Sequence, residues 1–208
     1  MSLTTSEGLG FRDLVFSDLL RYRPNRRATW RGVLKTCLSS PGMIASLVLR
    51  AQQSAFRAGR PRLAYLLRTL GMVLISADFV PGAEVGPGLS IPHPSAVVIG
   101  NGVIIGANVS FGVGVVAGVR KADLARGEYP VICDGAIILS HSVVAGPVRV
   151  GSHAQVGANS LVLSDVADHH VVLGVPAQKI GIRGDRIPGA SDRISGPDAA
   201  IDPAAGDG

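Results

Sequence analysis

Aromatic, cysteine and charged residues are all scarce in this chain of 208 residues. Phe, Trp and Tyr make up 4% of the sequence and Asp, Glu, Lys and Arg 17%, and the only cysteines are Cys37 and Cys133. Two cysteines without a CxxC pair predict reduced thiols in a cytoplasmic protein rather than a disulfide framework. With so few rings, the core has to be built from aliphatic side chains and closely packed backbone.

Long apolar runs and targeting signals are also missing. No stretch reaches the roughly 18 uninterrupted apolar residues of a transmembrane helix, because Arg68 interrupts the most apolar segment, LAYLLRTLGMVLI. The N-terminal sequence MSLTTSEGLGFRDL has no charged segment followed by an apolar core, as a signal peptide would. We therefore expect neither a membrane span nor a signal peptide.

Acidic residues are fewer than basic ones, 15 Asp and Glu against 20 Lys and Arg. The basic excess lies between Arg12 and Arg68, among helix-forming residues, and we expect it to occupy solvated helix faces. No basic motif is interleaved with aromatic residues, which disfavours a nucleic-acid partner. A basic chain still suits a polyanionic ligand such as a nucleotide cofactor.

Aliphatic residues recur at every sixth position over two long stretches of the chain. A period of six fits neither a strand nor a helix, and it is typical of a parallel β-helix in which three short repeats close a triangular coil. The first residue of each repeat points inward and stacks on its equivalents about 4.8 Å above and below. The repeats begin at Val85, Ile91, Ile99, Ile105, Phe111, Ile132, Ile138, Val144, Val150 and Val156.

The rest of the chain divides around this repeat. Apolar spacing of three and four residues predicts four helices in residues 11–77, so that residues 1–77 form an N-terminal helical cap. The β-helix is expected over residues 78–181. Residues 117–131 carry charges and break the register, which predicts an excursion loop. Residues 182–208 are rich in Gly, Pro, Asp and Ala and are expected to form a flexible tail.

Four segments of the chain resemble the hexapeptide acyltransferases, within them the serine acetyltransferases and their short relatives in polysaccharide and natural-product pathways. They are PGAEVGPGL, IPHPSAVVIGNGVIIGANVS, EYPVICDGA and VGANSLVLSDVADHHVVLGVPAQKIG. The match extends from about Asp18 to Gly181. The resemblance implies a mainly β protein, a left-handed parallel β-helix with the helical cap, that forms a homotrimer or a dimer of trimers. It also implies acetyl-CoA as co-substrate, no metal, and active sites between neighbouring subunits.

Two catalytic residues follow from this resemblance. His93 lies in the eight-residue turn IPHPSAVV, where the family places its catalytic histidine, and Asp78 stands fifteen residues earlier, where the family has an aspartate. A neutral imidazole is suited to take a proton from an acceptor hydroxyl near pH 7. A carboxylate on its other nitrogen would fix the tautomer, and one coil of about eighteen residues brings positions fifteen apart onto adjacent coils. The alternative is that His93 is only a surface-turn histidine.

The residues expected to bind coenzyme A, the acetyl donor, follow the family register closely. By that register, Ser140, Gln155 and Ala158 line the coenzyme A groove, and Lys179 meets its phosphate charge. His141 occupies a position where relatives usually have glycine. We expect it to cover a turn rather than to shape the acyl pocket.

The acceptor side departs from the family. Serine acetyltransferases have Asp before the catalytic histidine and an Arg-His pair at the end of the loop, whereas this chain has Pro92, Glu128 and Tyr129. The missing groups hold the ammonium and carboxylate of serine, so we expect an acceptor other than free L-serine. Tyr129 either hydrogen-bonds an acceptor hydroxyl or packs on the neighbouring subunit. Asp18 either matches a family acid that reaches the acceptor or is a solvated helical carboxylate.

These expectations combine into an acetyl-CoA-dependent O-acetyltransferase acting on a small polar acceptor, a serine-like amino acid or derivative or a sugar. A sugar N-acetyltransferase is one alternative. A non-catalytic β-helix scaffold is another, favoured by the altered acceptor loop and disfavoured by the His93 and Asp78 pair. A carbonic anhydrase-like zinc enzyme needs three converging histidines, and His93, His141 and His153 include no close pair.

Overall fold

The computed structural model describes residues 3–119 and 128–184. Most of the expected excursion loop, residues 120–127, lies outside the described residues. So does the expected tail from residue 185 onward. The described part consists of a helical layer followed by a parallel β-helix.

Four helices precede the first strand, as the spacing predicts. Proline stands at the start of the third and fourth helices, where its missing N–H costs nothing. The side chain of Thr29 caps the second helix by accepting a hydrogen bond from Gly32 N. Their bounds are α1 (Phe11–Tyr22), α2 (Trp30–Ser39), α3 (Pro41–Arg57) and α4 (Pro61–Ile75). None of the helices in the described ranges is long and apolar enough to cross a bilayer.

The strands are short and most contain two or three residues, because each turns a corner of the prism before it can extend. They are β1 (Asp78–Phe79), β2 (Glu84–Val85), β3 (Val98–Ile99), β4 (Ile104–Ile105), β5 (Ser110–Phe111), β6 (Val116–Gly118), β7 (Val131–Ile132), β8 (Ile137–Ile138), β9 (Val143–Ala145), β10 (Arg149–Val150), β11 (Gln155–Val156), β12 (Leu161–Val162), β13 (His170–Leu173) and β14 (Gln178–Ile182).

Successive strands belong to three different sheets, so the chain winds around a triangular prism. Sheet 1 has the order β1-β3-β6-β9-β12, sheet 2 the order β2-β4-β7-β10, and sheet 3 the order β5-β8-β11-β13-β14. Pairing is parallel throughout except between β13 and β14. Val98 pairs with Val116, one coil of 18 residues later, whereas Ile104 pairs with Val131, 27 residues later. The excursion loop accounts for the difference.

The interior of the prism confirms the six-residue register. The first residues of all ten repeats are at most 2% exposed. The position two before each of them is buried as well, for example Leu89, Val97 and Val103. The repeat therefore predicts which side chains point inward. Stacking of the coils buries these aliphatic side chains away from water.

The helices pack against the first coil. Ala45 and Leu49 of α3 and Ile75 of α4 join the same hydrophobic cluster as the interior of the prism. A second, smaller cluster among α1, α2 and α3 contains Val15, Leu19, Val33 and Met43. The helical layer is therefore anchored at the coil that precedes the His93 turn.

Candidate active site

The turn that carries His93 bulges from the prism between the first and second coils. Ile91 and Pro94 are buried on either side of His93, whose own side chain is exposed. The turn is closed by a hydrogen bond from Ala96 N to Ser76 O of 2.7 Å, and Ala96 adopts a φ of 58°. The imidazole is thus presented at the surface, and no hydrogen bond to it is formed within the described ranges.

Asp78 opens β1 beside this turn. Its backbone N–H donates to Val97 O at 2.9 Å, which ties β1 to the end of the turn. Its carboxylate receives two hydrogen bonds from Arg68 of α4, from Nε at 2.6 Å and from Nη2 at 2.8 Å. In this chain the described contacts of the carboxylate are therefore with Arg68, and the orientation of His93 by Asp78 stays a prediction.

His93 shares one edge of the prism with two of the predicted donor residues. This edge, where the chain passes from sheet 3 to sheet 1, is named the His93 edge. Ser140 and Ala158 occupy equivalent positions on two successive coils of it, joined by a hydrogen bond from Asn159 N to Ser140 O of 3.0 Å. The His93 edge comprises residues 92–97, 112–115, 139–142 and 157–160.

The other two donor candidates lie on the neighbouring sheet. Gln155 is a half-buried residue of β11, and Lys179 is an exposed residue of β14, both in sheet 3. All four donor candidates therefore lie on the His93 edge or on the sheet that adjoins it. Their coils follow the coil of His93 along the prism.

Glu128 and Tyr129 lie on a different edge, where the chain passes from sheet 1 to sheet 2. Glu128 is exposed, whereas the ring of Tyr129 covers Gly102 of the same chain. A Cβ atom at Gly102 would lie 2.7 Å from three ring atoms of Tyr129, and Gly102 has a φ of 74°. A single chain thus does not bring Tyr129 and His93 together.

Asp18 is buried, and the interpretation as a solvated helical carboxylate is wrong. It is 0% exposed and accepts hydrogen bonds from Nε and Nη2 of Arg50, both at 2.8 Å, and from Leu89 N at 2.9 Å. Burial raises the pKa of Asp18, and the Arg50 charge opposes that rise. Both carboxylate oxygens are engaged, so we do not include Asp18 in the acceptor site proposed below.

Arg50 is buried too, so the expectation of solvated basic helix faces is wrong for this residue. It is 1% exposed and donates to Val85 O and Gly86 O, each at 2.7 Å. The hydroxyl of Tyr22 accepts a hydrogen bond from Ile91 N at 3.1 Å. Because the first coil has no coil before it, these side chains bond the backbone groups that face the helices. They hold the segment that leads into the His93 turn.

The remaining candidates have structural roles. The ring of His141 covers Gly114 of the preceding coil, and His141 itself has a φ of 58°. It covers a turn, as expected. Cys133 is 0% exposed, and burial raises the pKa of its thiol. A buried protonated thiol is not a nucleophile. No group of three His, Cys, Asp or Glu residues suited to a metal occurs in residues 3–119 and 128–184.

Comparison with known proteins identifies relatives of one kind, although no protein-family model matches the chain. Serine acetyltransferase 4 of Arabidopsis thaliana is 33% identical over 147 residues, which cover 71% of this chain and 41% of that protein. The chain spans about half the length of such curated relatives, for example 50% of the serine acetyltransferase of Buchnera aphidicola. The activity, substrates and partners of the whole relatives therefore come to this chain as proposals.

Solved structures match over a larger share of both chains. A Brucella abortus serine acetyltransferase in complex with coenzyme A has a TM-score of 0.73 and 26% identity, covering 82% of this chain and 68% of that one. The Neisseria gonorrhoeae serine acetyltransferase in complex with serine has a TM-score of 0.73 and 30% identity, covering 85% and 71%. This chain belongs to the serine acetyltransferase-like family of hexapeptide-repeat acyltransferases.

Proposed function

We propose that the protein is an acetyl-CoA-dependent O-acetyltransferase in which His93 is the general base. The observation that carries this proposal is the exposed imidazole on a bulged turn, at the head of the edge that carries Ser140 and Ala158. His93 takes the proton of the acceptor hydroxyl while the hydroxyl oxygen attacks the carbonyl carbon of the thioester. The C–S bond then breaks, and the coenzyme A sulfur leaves with the proton that His93 had taken. No covalent acyl-enzyme is required.

Coenzyme A is proposed to lie along the His93 edge and across the adjoining part of sheet 3. Backbone groups at Ser140 and Ala158 would pair with its amide groups, and Gln155 lies on the same side. Lys179 would meet its phosphate charge. Support comes from the position of all four residues on coils that follow His93, and from the Brucella abortus relative solved with coenzyme A.

The complete site is proposed to form between subunits of a left-handed β-helical trimer, with the helical layer closing the first coil. Support comes from the outer surface of sheet 1, where half-buried apolar side chains stand in one column: Val98, Val116, Val143 and Leu161. An outer sheet face in water is normally polar. A neighbouring chain packed there would bring the edge with Glu128 and Tyr129 towards the His93 edge.

The acceptor is proposed to be a sugar or a serine-like derivative rather than free L-serine. The Neisseria gonorrhoeae relative was solved with serine. At the matching positions this chain has Pro92, Glu128 and Tyr129, and Glu128 would repel a carboxylate at the place where the resemblance implies an arginine.

The proposal is tested by incubating the purified protein with acetyl-CoA and single acceptors, and by measuring the free thiol of released coenzyme A. We expect release with at least one sugar or serine derivative that exceeds release with L-serine, together with an O-acetylated product by mass spectrometry. An N-acetylated product would favour the alternative sugar N-acetyltransferase. No release with any acceptor would favour the scaffold.

The role of Asp78 is tested separately by comparison with its partner Arg68. If Asp78 orients His93, Asp78→Asn lowers turnover about 10- to 100-fold at unchanged KM for acetyl-CoA, since the carboxylate is lost. The control Arg68→Gln breaks the same ion pair but keeps the carboxylate, and we expect less than about a threefold change, because a partly exposed ion pair contributes little. Equal losses in the two variants would show that the ion pair itself is what matters.

A further inference from the structure

A cavity in the helical layer has a strongly cationic lining. It lies between the end of α1, the face of α2 and the start of α3, with a volume of about 350 Å³. Two of the lining side chains are cations, the others carry hydroxyls, and none is acidic. They are Tyr22, Arg23, Lys35, Thr36, Ser39 and Ser40.

The two cations have no acidic partner. The ion pairs of the described ranges join Arg50 to Asp18 and Arg68 to Asp78, and neither includes Arg23 or Lys35. Residues 3–77 contain twelve Lys and Arg against three Asp and Glu. The positive charge around the cavity is therefore not balanced within the helical layer, and an anion would gain from entering it.

Ser40 has the one lining hydroxyl without a hydrogen bond to a described residue, since the hydroxyls of Thr36 and Ser39 donate to carbonyls of α2. The side chain of Ser40 makes no capping hydrogen bond to α3. Gly32 has no side chain, and a Cβ atom there would lie 3.5 Å from Nη1 of Arg23. The Tyr22 hydroxyl is engaged with Ile91 N and is not counted among the free donors. A guanidinium, an ammonium and the free hydroxyl of Ser40 around one space form a suitable site for a phosphate or carboxylate group.

The position of the cavity relates it to the chain segment that carries His93. The Tyr22 hydroxyl in its wall is hydrogen-bonded to Ile91 N, two residues before His93. Ser140 and Ala158 follow His93 on the same edge by two and three coils, about 10 and 14 Å along the prism. The end of α1 contacts Ile91 N through Tyr22, and it contacts Ser110 of β5 through Arg21 at 2.9 Å. The cavity therefore adjoins the chain segment that leads into the His93 turn.

We infer that the cavity between α1, α2 and α3 binds an anionic group, a phosphate or a carboxylate, of the acetyl acceptor. That an anion binds in the cavity does not depend on the proposed function. That this anion belongs to the acetyl acceptor rests on the proposed function. It assigns to Arg23 and Lys35 the recognition of acceptor charge. The loop, with Glu128 in place of the arginine that the resemblance implies, does not supply that charge.

The anion site is tested with inorganic phosphate at constant ionic strength, with chloride as the balancing salt. We expect phosphate to raise the unfolding temperature of the full chain, and its affinity to fall at least about tenfold in R23A/K35A, which loses two charge-assisted contacts. The control R26A/R27A removes two exposed arginines of the α1–α2 connection, outside the cavity, and keeps the response. No response in the unchanged protein, or equal responses in both double variants, would overturn the anion site.

The acceptor assignment is tested with matched sugars, galactose against galacturonate and glucose against glucose 6-phosphate. We expect a higher kcat/KM for the charged member of at least one pair, and loss of that preference in R23A/K35A at unchanged KM for acetyl-CoA. A raised KM for acetyl-CoA instead would assign the cavity to the phosphates of coenzyme A and overturn the inference. Absence of acetylation of every acceptor would refute the proposed function and the acceptor assignment, while the phosphate measurement decides on the anion site by itself.

Discussion

Replacing His93 by alanine is expected to lower the turnover of acetyl transfer by about 10²- to 10⁴-fold, the usual contribution of a general base. The alanine leaves the turn intact, because the backbone bond from Ala96 N to Ser76 O and the buried Pro94 beside it do not involve the imidazole. The loss should therefore be seen in kcat. The KM for acetyl-CoA should stay close to that of the unchanged protein, since the predicted donor residues lie on later coils.

A suitable control is His153→Ala. Like His93, His153 is an exposed turn histidine, but it has a φ of 56° and lies on the edge between sheets 2 and 3. We expect the loss of the His153 side chain to change turnover less than about threefold, because this side chain is exposed and lies outside the proposed site. A folded His93→Ala protein that releases coenzyme A at the rate of this control would contradict the role of His93.

The β-helix is predictable from the sequence because its period is a direct consequence of the backbone. The second residue of each short strand points inward, so the residues from Val85 to Val156 that begin the six-residue repeats are also residues that the structure buries. The six-residue period is interrupted at residues 117–131, and this interruption is what predicts the excursion loop. Handedness and assembly depend on contacts that no period within one chain reports.

The site is only partly predictable from the sequence, since some of its residues are recognised from the local sequence and others only from contacts between distant elements. His93 is predicted from the family resemblance, at an eight-residue turn that is two residues longer than the other repeats. Asp18 and Arg50 are separated by 32 residues, and helical spacing alone does not show that a charge within an apolar helix faces another buried charge. The partner of Asp78 is missed for the same reason, because Arg68 lies in a helix and Asp78 in the first strand.

The buried pair of Arg50 and Asp18 is expected to be the most sensitive charged contact of the helical layer. Arg50→Met leaves Asp18 at 0% exposure without its cation and removes the donors to Val85 O and Gly86 O. Breaking a buried pair by removing one partner costs about 3–5 kcal/mol of the free energy of unfolding. Urea denaturation measures the loss. The control Arg62→Met, at an exposed position of α4 with no hydrogen bond or ion pair to the described residues, should cost less than about 0.5 kcal/mol.

The pH dependence of this loss identifies its cause. Without Arg50, burial raises the pKa of Asp18 further above its unfolded value, so the folded variant binds more protons than the unfolded chain between the two values. Its stability then falls as the pH rises through that window. The difference from the unchanged protein should be larger at pH 7 than at pH 4.5. A difference independent of pH would mean that lost packing, rather than the uncompensated carboxylate, destabilises the variant.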